Sequence, residues 1–175
     1  MLETPLDLLL EKFEHVDLID VVHPKSVQAE VRRHPKRERV RLLEVDLNLI
    51  SAESFKGLYG NYDFAVSANL LSQLPFVLGQ NMRKNKIAEE EISRFAADLQ
   101  NQHLQFLRSL VPKFLCYSDF EMHVLDKNAQ IIEMAPTVSA QVPIRWQSTW
   151  MWELAPAPEL SRNYSVHLKV GAASI

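Results

Sequence analysis

Val16-Asp17-Leu18-Ile19-Asp20-Val21-Val22 reads as a strand with an acid at its tip, and the interpretation of the chain works outward from it. Apolar positions on both faces suit a strand buried in a parallel sheet under helices, not a half-wet antiparallel one. In such sheets an acid at the tip of the second strand grips ribose hydroxyls, while a glycine-rich turn after the first strand lets the backbone approach a nucleotide. Here the acid is present and no glycine precedes it. The chain therefore reads as most of a cofactor-binding domain that begins one strand late.

Composition sets the outer bounds. At 175 residues, 47% hydrophobic and 23% charged, the chain suits one ordinary globular domain, residues 1–175, with a sizeable core. A net charge of -3 argues against holding nucleic acid by bulk electrostatics, which needs a basic excess. Lone Cys116 cannot form an internal disulfide, so a reducing cytoplasm is expected. No apolar stretch approaches the ~20 residues that span a bilayer, and the acidic N-terminus is unlike a signal peptide, so neither membrane insertion nor export is expected. The four glycines, Gly57, Gly60, Gly79 and Gly171, form no GxG arrangement, so no phosphate-cradling loop can be written.

Helices and strands alternate at first. Thr4-Pro5-Leu6-Asp7 gives a threonine cap, proline at the first helical position and an acid that can reach back to the cap. Leu6, Leu9, Leu10 and Phe13 then share one face. Pro24 opens a second helix through Val27 and Val31 to about Arg33, and Val40 to Val45 is a strand ending at Asp46. Ser51 caps a short helix that ends near Gly57 and Gly60. Phe64 to Asn69 is a further strand with a polar tip, followed by a turn or short helix from Leu70 to Pro75. Ile92, Phe95, Ala96, Leu99, His103, Phe106, Leu107 and Leu110 mark a long amphipathic helix with Glu89, Glu90 and Glu91 at its start.

After Pro112 the texture changes. Lys113 to Tyr117 reads as a strand, and Met122 to Leu125 and Ile131 to Met134 flank a hairpin turn at Asp126-Lys127-Asn128. Arg145 to Leu154 and Tyr164 to Val170 are two more strands, joined by a loop holding Pro156 and Pro158. No helical period follows Pro112.

In order and spacing these segments resemble the class I S-adenosylmethionine-dependent methyltransferases, a Rossmann-like family. The stretch Val-Asp-Leu-Ile-Asp-Val-Val-His-Pro, from Val16 to Pro24, resembles the family's second strand, and Leu-Leu-Glu-Val-Asp-Leu, from Leu42 to Leu47, its third. Tyr-Asp-Phe-Ala-Val-Ser-Ala-Asn-Leu-Leu-Ser-Gln-Leu-Pro, from Tyr62 to Pro75, resembles the fourth, and Phe-Leu-Cys-Tyr-Ser-Asp, from Phe114 to Asp119, the fifth. The resemblance implies an α/β fold, a three-layer Rossmann-like sandwich, mainly parallel with antiparallel C-terminal strands and with the first strand missing. It implies that Asp20 accepts hydrogen bonds from the ribose of S-adenosylmethionine, with Val21 and Val22 against the adenine. It further implies that Asp46 and Leu47 contact the adenine, and that Ser67, Ala68 and Asn69 face the methyl and its acceptor. The departure is the absent first strand and Gly-x-Gly turn, for which three explanations stand: residues lost by truncation or a wrong start site, which is favoured, a strand supplied by a partner chain, or a sheet closed around the gap.

The function expected is methyl transfer to an unidentified acceptor, with no catalytic base readable. The alternative is a non-catalytic methyltransferase-like module acting in dimerisation or partner binding, as a homodimer. A nicotinamide- or nucleotide-binding enzyme shares the Asp20 logic but conflicts with the C-terminal hairpins. The basic run from Arg32 to Arg41 lacks interleaved aromatics and is expected to be a solvated face. No two of the six histidines, His15, His23, His34, His103, His123 and His167, stand at i, i+4 with an acid suited to zinc, so no metal site is expected. Trp146, Trp150 and Trp152 alternate onto one strand face, where burial against a helix is expected ahead of an acceptor wall. Cys116 is expected to be an inert core thiol.

Overall fold

The computed structural model describes residues 6–156 and 161–175; Thr4 and Pro5 of the expected helix cap and Pro158 of the proline-rich loop lie outside the described residues. The chain divides into two compact units, Met1–Ile50 and Ser51–Ile175.

In the first unit, α1 (Leu6–Lys12) leads into β1 (Val16–Asp20), and α2 (Lys25–Arg33) crosses over to β2 (Val40–Glu44). The strands pair in parallel from Val16 opposite Val40 to Asp20 opposite Glu44. Leu6, Leu10, Val16, Val31 and Val40 form the core, with Leu9, Phe13, Leu18 and Leu42 packed against it. Both helices thus bury the apolar stripe that the periodicity predicts. Asp17 is nearly closed to solvent and lies opposite Arg41, whose guanidinium grips both carboxylate oxygens, Nε reaching Oδ1 at 2.8 Å. A buried acid is tolerated because it is paired in this two-pronged way.

The second unit opens with α3 (Ala52–Tyr59), capped by Ser51, whose hydroxyl accepts the Ser54 N–H at 3.2 Å. Gly60 ends it at φ 98°, a conformation that suits a residue without a side chain. There follow β3 (Ala65–Ala68), α4 (Leu70–Gln73), α5 (Phe76–Lys84), α6 (Glu89–Leu110), β4 (Phe114–Asp126), β5 (Ile131–Pro136), β6 (Ser148–Ala155) and β7 (Tyr164–Ser174). The turn at Asp126 closes the β4–β5 hairpin, its Oδ1 accepting the Asn128 and Gln130 N–H groups at 2.8 and 2.9 Å. The expected strands at Lys113–Tyr117 and Met122–Leu125 are a single strand, β4. The strand runs on through Ser118 and Asp119 without a turn, and the register with β7 slips only between Asp119 and Glu121, where a bulge bends the strand without ending it.

The three-layer Rossmann-like sandwich with a mainly parallel sheet is not what forms. β1 and β2 stand as a two-stranded sheet, and a separate five-stranded mixed sheet runs β3-β4-β7-β6, with β5 also on β4. Only β3–β4 is parallel there, and the rest is antiparallel. The reason lies in strand lengths. β3 offers four residues, whereas β4 extends for 13 and pairs with β7 from Leu115 opposite Ser174 to Asp126 opposite Tyr164. Three bulges, one in each antiparallel pair, curl the sheet rather than leave it open and doubly wound. Among the described residues, β1 pairs only with β2 and β3 only with β4, so the edges that β1, β2 and β3 leave open are short.

The basic run also holds a structural residue. Half-buried Arg39 donates to the carbonyls of Leu10, Phe13 and Glu14 at 3.0, 2.6 and 2.6 Å, closing the C-terminal end of α1. Those carbonyls have no helical partner of their own, and a forked guanidinium suits three acceptors at once. Arg39→Ala is therefore expected to destabilise the chain by roughly 1–3 kcal/mol in urea denaturation, with Arg39→Lys recovering only part. An unchanged midpoint for Arg39→Ala would contradict the clamp.

Candidate functional site

Parallel pairing brings the tips of β1 and β2 side by side at their carboxyl ends, where open α/β sheets receive ligands. Asp20 is exposed and in register with Glu44. Its Oδ1 accepts the Val21 N–H at 2.7 Å, and among the described residues its other oxygen carries no hydrogen bond. Beside it Val21 and Val22 are 63% and 65% exposed, unusual for adjacent valines. Buried His23 anchors the turn that presents them. Its Nε2 lies 3.2 Å from the Leu43 carbonyl, its N–H donates to Glu44 Oε1 at 3.2 Å, and its carbonyl accepts from Gln28 Nε2 at 2.9 Å. Asp46 is half-buried, and its Oδ1 accepts both the N–H and the side-chain amide of Asn48, at 2.9 and 3.0 Å. That carboxylate closes the turn after β2, with half-buried Leu47 inside the turn.

At the tip of β3 the expected residues turn inward or bind the backbone. Ser67 is buried, its hydroxyl 2.8 Å from His103 Nε2 on α6, and it stands in register with buried Cys116 on β4. Burial pushes the His103 pKa down to about 4 and the Cys116 thiol up to about 11, the latter opposed by Ser67. At neutral pH the imidazole is uncharged and the thiol protonated, so this trio is a polar stitch in the core. Ala68 is exposed. Asn69 adopts the left-handed conformation at φ 57°, which asparagine tolerates better than most residues. Its N–H donates to the Tyr117 carbonyl at 2.7 Å, and its Oδ1 accepts the Asp119 N–H at 2.9 Å.

Sequence reasoning missed the acid that sits there. Asp119 is 5% exposed and accepts the Ser72 hydroxyl on Oδ1 at 2.6 Å, while Ser118 accepts the Ser72 N–H at 3.3 Å. Asn69, Ser72, Ser118 and Asp119 thus form one hydrogen-bonded nest. Its signal was available in Phe114 to Asp119, an apolar strand reaching an acid, the same pattern that picked out Asp20. Gln100, buried within the apolar stripe of α6, was also unforeseen. Its amide donates to the Leu71 and Thr137 carbonyls at 2.8 and 3.1 Å and accepts the Ser139 N–H at 2.9 Å.

Other expectations distribute across the molecule. Trp146 does not share a strand with the other tryptophans; it stacks on Phe120 with ring centroids 5.4 Å apart and lies over Gly171, where an added Cβ would come within 2.6 Å of the indole. Trp150 and Trp152 remain 46% and 42% exposed on β6, so no helix covers them. His123 and His167 face each other across β4 and β7. His123 Nε2 lies 2.6 Å from Glu121 Oε1, which holds that carboxyl below its usual range with help from Lys169, and His167 Nε2 lies 3.1 Å from Ser165 Oγ. Among the described residues no three His, Cys, Asp or Glu side chains are placed to hold a metal ion, and no helix is long and apolar enough to cross a membrane. Two open hollows, of about 530 and 390 Å³, lie beside Arg145 and Trp146 and beside Asp126 and His167; neither is lined by Asp20, Val21, Asp46, Leu47, Ser67 or Asn69. The chain has no significant match among protein-family models, curated proteins or solved structures.

The buried imidazole has a measurable consequence. Because the folded pKa of His103, about 4, lies below its ordinary 6.5, the unfolded chain takes up the proton first as pH falls. The neutral-His contribution is intact above about pH 6.5 and is lost progressively towards pH 4, by up to roughly 3 kcal/mol. Urea midpoints measured at pH 7.5 and 5 are expected to fall more for the wild-type chain than for His103→Leu. Equal falls would contradict a neutral buried His103.

Proposed function

We propose that this is a methyltransferase-like protein that binds S-adenosylmethionine through the tips of β1 and β2 and passes its methyl group to an acceptor of unassigned identity. The observation that carries the proposal is the exposed Asp20 carboxylate at the carboxyl end of a parallel strand, one oxygen uncommitted, beside two solvent-facing valines. A carboxylate offers acceptors to a ribose diol, and the valine pair offers apolar surface to an adenine ring. The His23 network fixes the turn, so the carboxylate is held in place before any ligand arrives. Asp46 contributes by shaping the adjacent turn, through which Leu47 is presented.

S-adenosylmethionine supplies an already activated methyl group, so the residues' part is to hold and align it, and no general base is assigned. Ser67 and Asn69 carry no part of the proposal, because their observed bonds serve the core and the strand end. The proposal rests on strand-tip chemistry and not on a complete Rossmann-like sheet.

Calorimetric titration with S-adenosylmethionine and with S-adenosylhomocysteine tests it. Heat of binding is expected for the wild-type chain, weakened roughly 10- to 100-fold in Asp20→Ala through loss of hydrogen bonds to a charged acceptor. No heat with the wild-type chain would contradict cofactor binding and leave the non-catalytic, partner-binding reading in its place.

A further inference from the structure

The outer edge of β6 is the most unusual surface of the second unit. The strand lies at the end of its sheet and, among the described residues, pairs only with β7. Its sequence is Ser148-Thr149-Trp150-Met151-Trp152-Glu153-Leu154-Ala155, with one charge and no proline or lysine. Trp150, Met151, Trp152 and Leu154 are 46%, 47%, 42% and 46% exposed, so apolar side chains project from both faces beside an unpaired backbone edge. Natural edge strands are usually blunted by lysine, proline, a bulge along the exposed run or a covering element. In β6 the register slips only near the end, between Glu153 and Ala155. The stretch from Ser148 to Glu153 is regular.

We propose that β6 is a homodimerisation edge, pairing antiparallel with β6 of a second copy about a two-fold axis through Met151. A two-fold axis perpendicular to the sheet keeps each face on its own side, so opposed residues must come from the same face and the axis must pass through a residue position. With Met151 on the axis, Trp150 of each copy lies opposite Trp152 of the other, and Thr149 lies opposite Glu153. Met151 meets its own counterpart. Both aromatic pairs fall on one face, where their β7 neighbours are the buried Val170 and Leu168. Directly opposed aromatics are among the favourable cross-strand pairs.

The charge pattern is compatible with this register. Glu153 is the only ionisable residue of β6, and this alignment gives it a neutral partner, whereas an axis through Glu153 would oppose two carboxylates. The Met151 axis also overlaps the strand along Ser148 to Leu154, more of its length than an axis through Trp150 allows; an axis through Trp152 overlaps as much, from Thr149 to Ala155, but takes in the whole of the register slip between Glu153 and Ala155 and sets Trp150 against Leu154 in place of an aromatic partner. A second copy is therefore the occupant whose side chains match this edge, and the inference stands independently of cofactor binding.

Sedimentation velocity on the full chain, from about 1 to 200 μM, is expected to show a monomer–dimer equilibrium. Met151→Lys and Met151→Glu each place two like charges on the axis while substituting an exposed position, and each is expected to be monomeric, with unchanged circular dichroism. Mixing the two variants is expected to restore dimer by pairing opposite charges. Met151→Cys is expected to form an intermolecular disulfide on mild oxidation, while Thr149→Cys, which lies opposite Glu153, is not. A wild-type monomer throughout the range, as an edge reserved for another protein would give, overturns the proposal. So does a dimer that persists in both charged variants, or variants that fail to rescue each other.

Discussion

The long antiparallel register between β4 and β7 is the constraint on which the second unit depends. β4 has a neighbour on each side along its length: β7 on one edge, and β3 and then β5 on the other. Its first half buries Phe114, Cys116 and Ser118 almost completely. Because β4 crosses from a parallel partner to an antiparallel one, it converts the alternating helix-and-strand pattern of the earlier chain into a hairpin sheet. Loss of its alignment by one residue would turn Cys116 and Ser118 away from the side they now share with Ser67.

Polar contacts then hold α6 in one place. Apolar side chains at helical spacing would permit some sliding, but Gln100 and His103 do not. Gln100 meets two carbonyls and an N–H from separate segments, and His103 meets Ser67. Buried polar groups that are bonded in this way cost little and give directionality that oily contacts lack. The nest at Asn69, Ser72, Ser118 and Asp119 does the same for the tip of β3.

Much of the local structure was legible in the sequence. The helix at Pro24, the Ser51 cap, the Gly60 stop, the hairpin at Asp126 and the long amphipathic α6 all follow from short-range chemistry, and each lies where its signal stands. What could not be read was which strands pair. The apolar texture of Val16 to Val22 suits any sheet buried on both faces, and it does not say that β1 will have β2 as its sole partner among the described residues. Nor could periodicity tell that Lys113–Tyr117 and Met122–Leu125 are one strand, because a bulge leaves no composition signal of its own. α5 was overlooked because Pro75 reads as a terminator of one helix as readily as a start for the next.

For the candidate site, the same limits apply. The sequence located the acids at strand tips because that placement depends on strand boundaries alone. It could not say that Ser67 would be occupied by His103, which depends on tertiary geometry, whereas the bonds from Asn48 to Asp46 are local to a turn that an aspartate after a strand commonly closes. Of the expected site carboxylates, Asp20 is the exposed one, with an oxygen that carries no hydrogen bond among the described residues, and Asp46 is half-buried.

Residue-resolved amide hydrogen exchange on dilute protein tests the keystone role of β4 most directly. The account predicts that amides of Leu115 to Tyr117 and Met122 to Val124 are among the slowest in residues 51–175 and exchange only with opening of the whole sheet, far more slowly than the outward amides of β6. Exchange of these β4 amides as fast as that of β6 would contradict it.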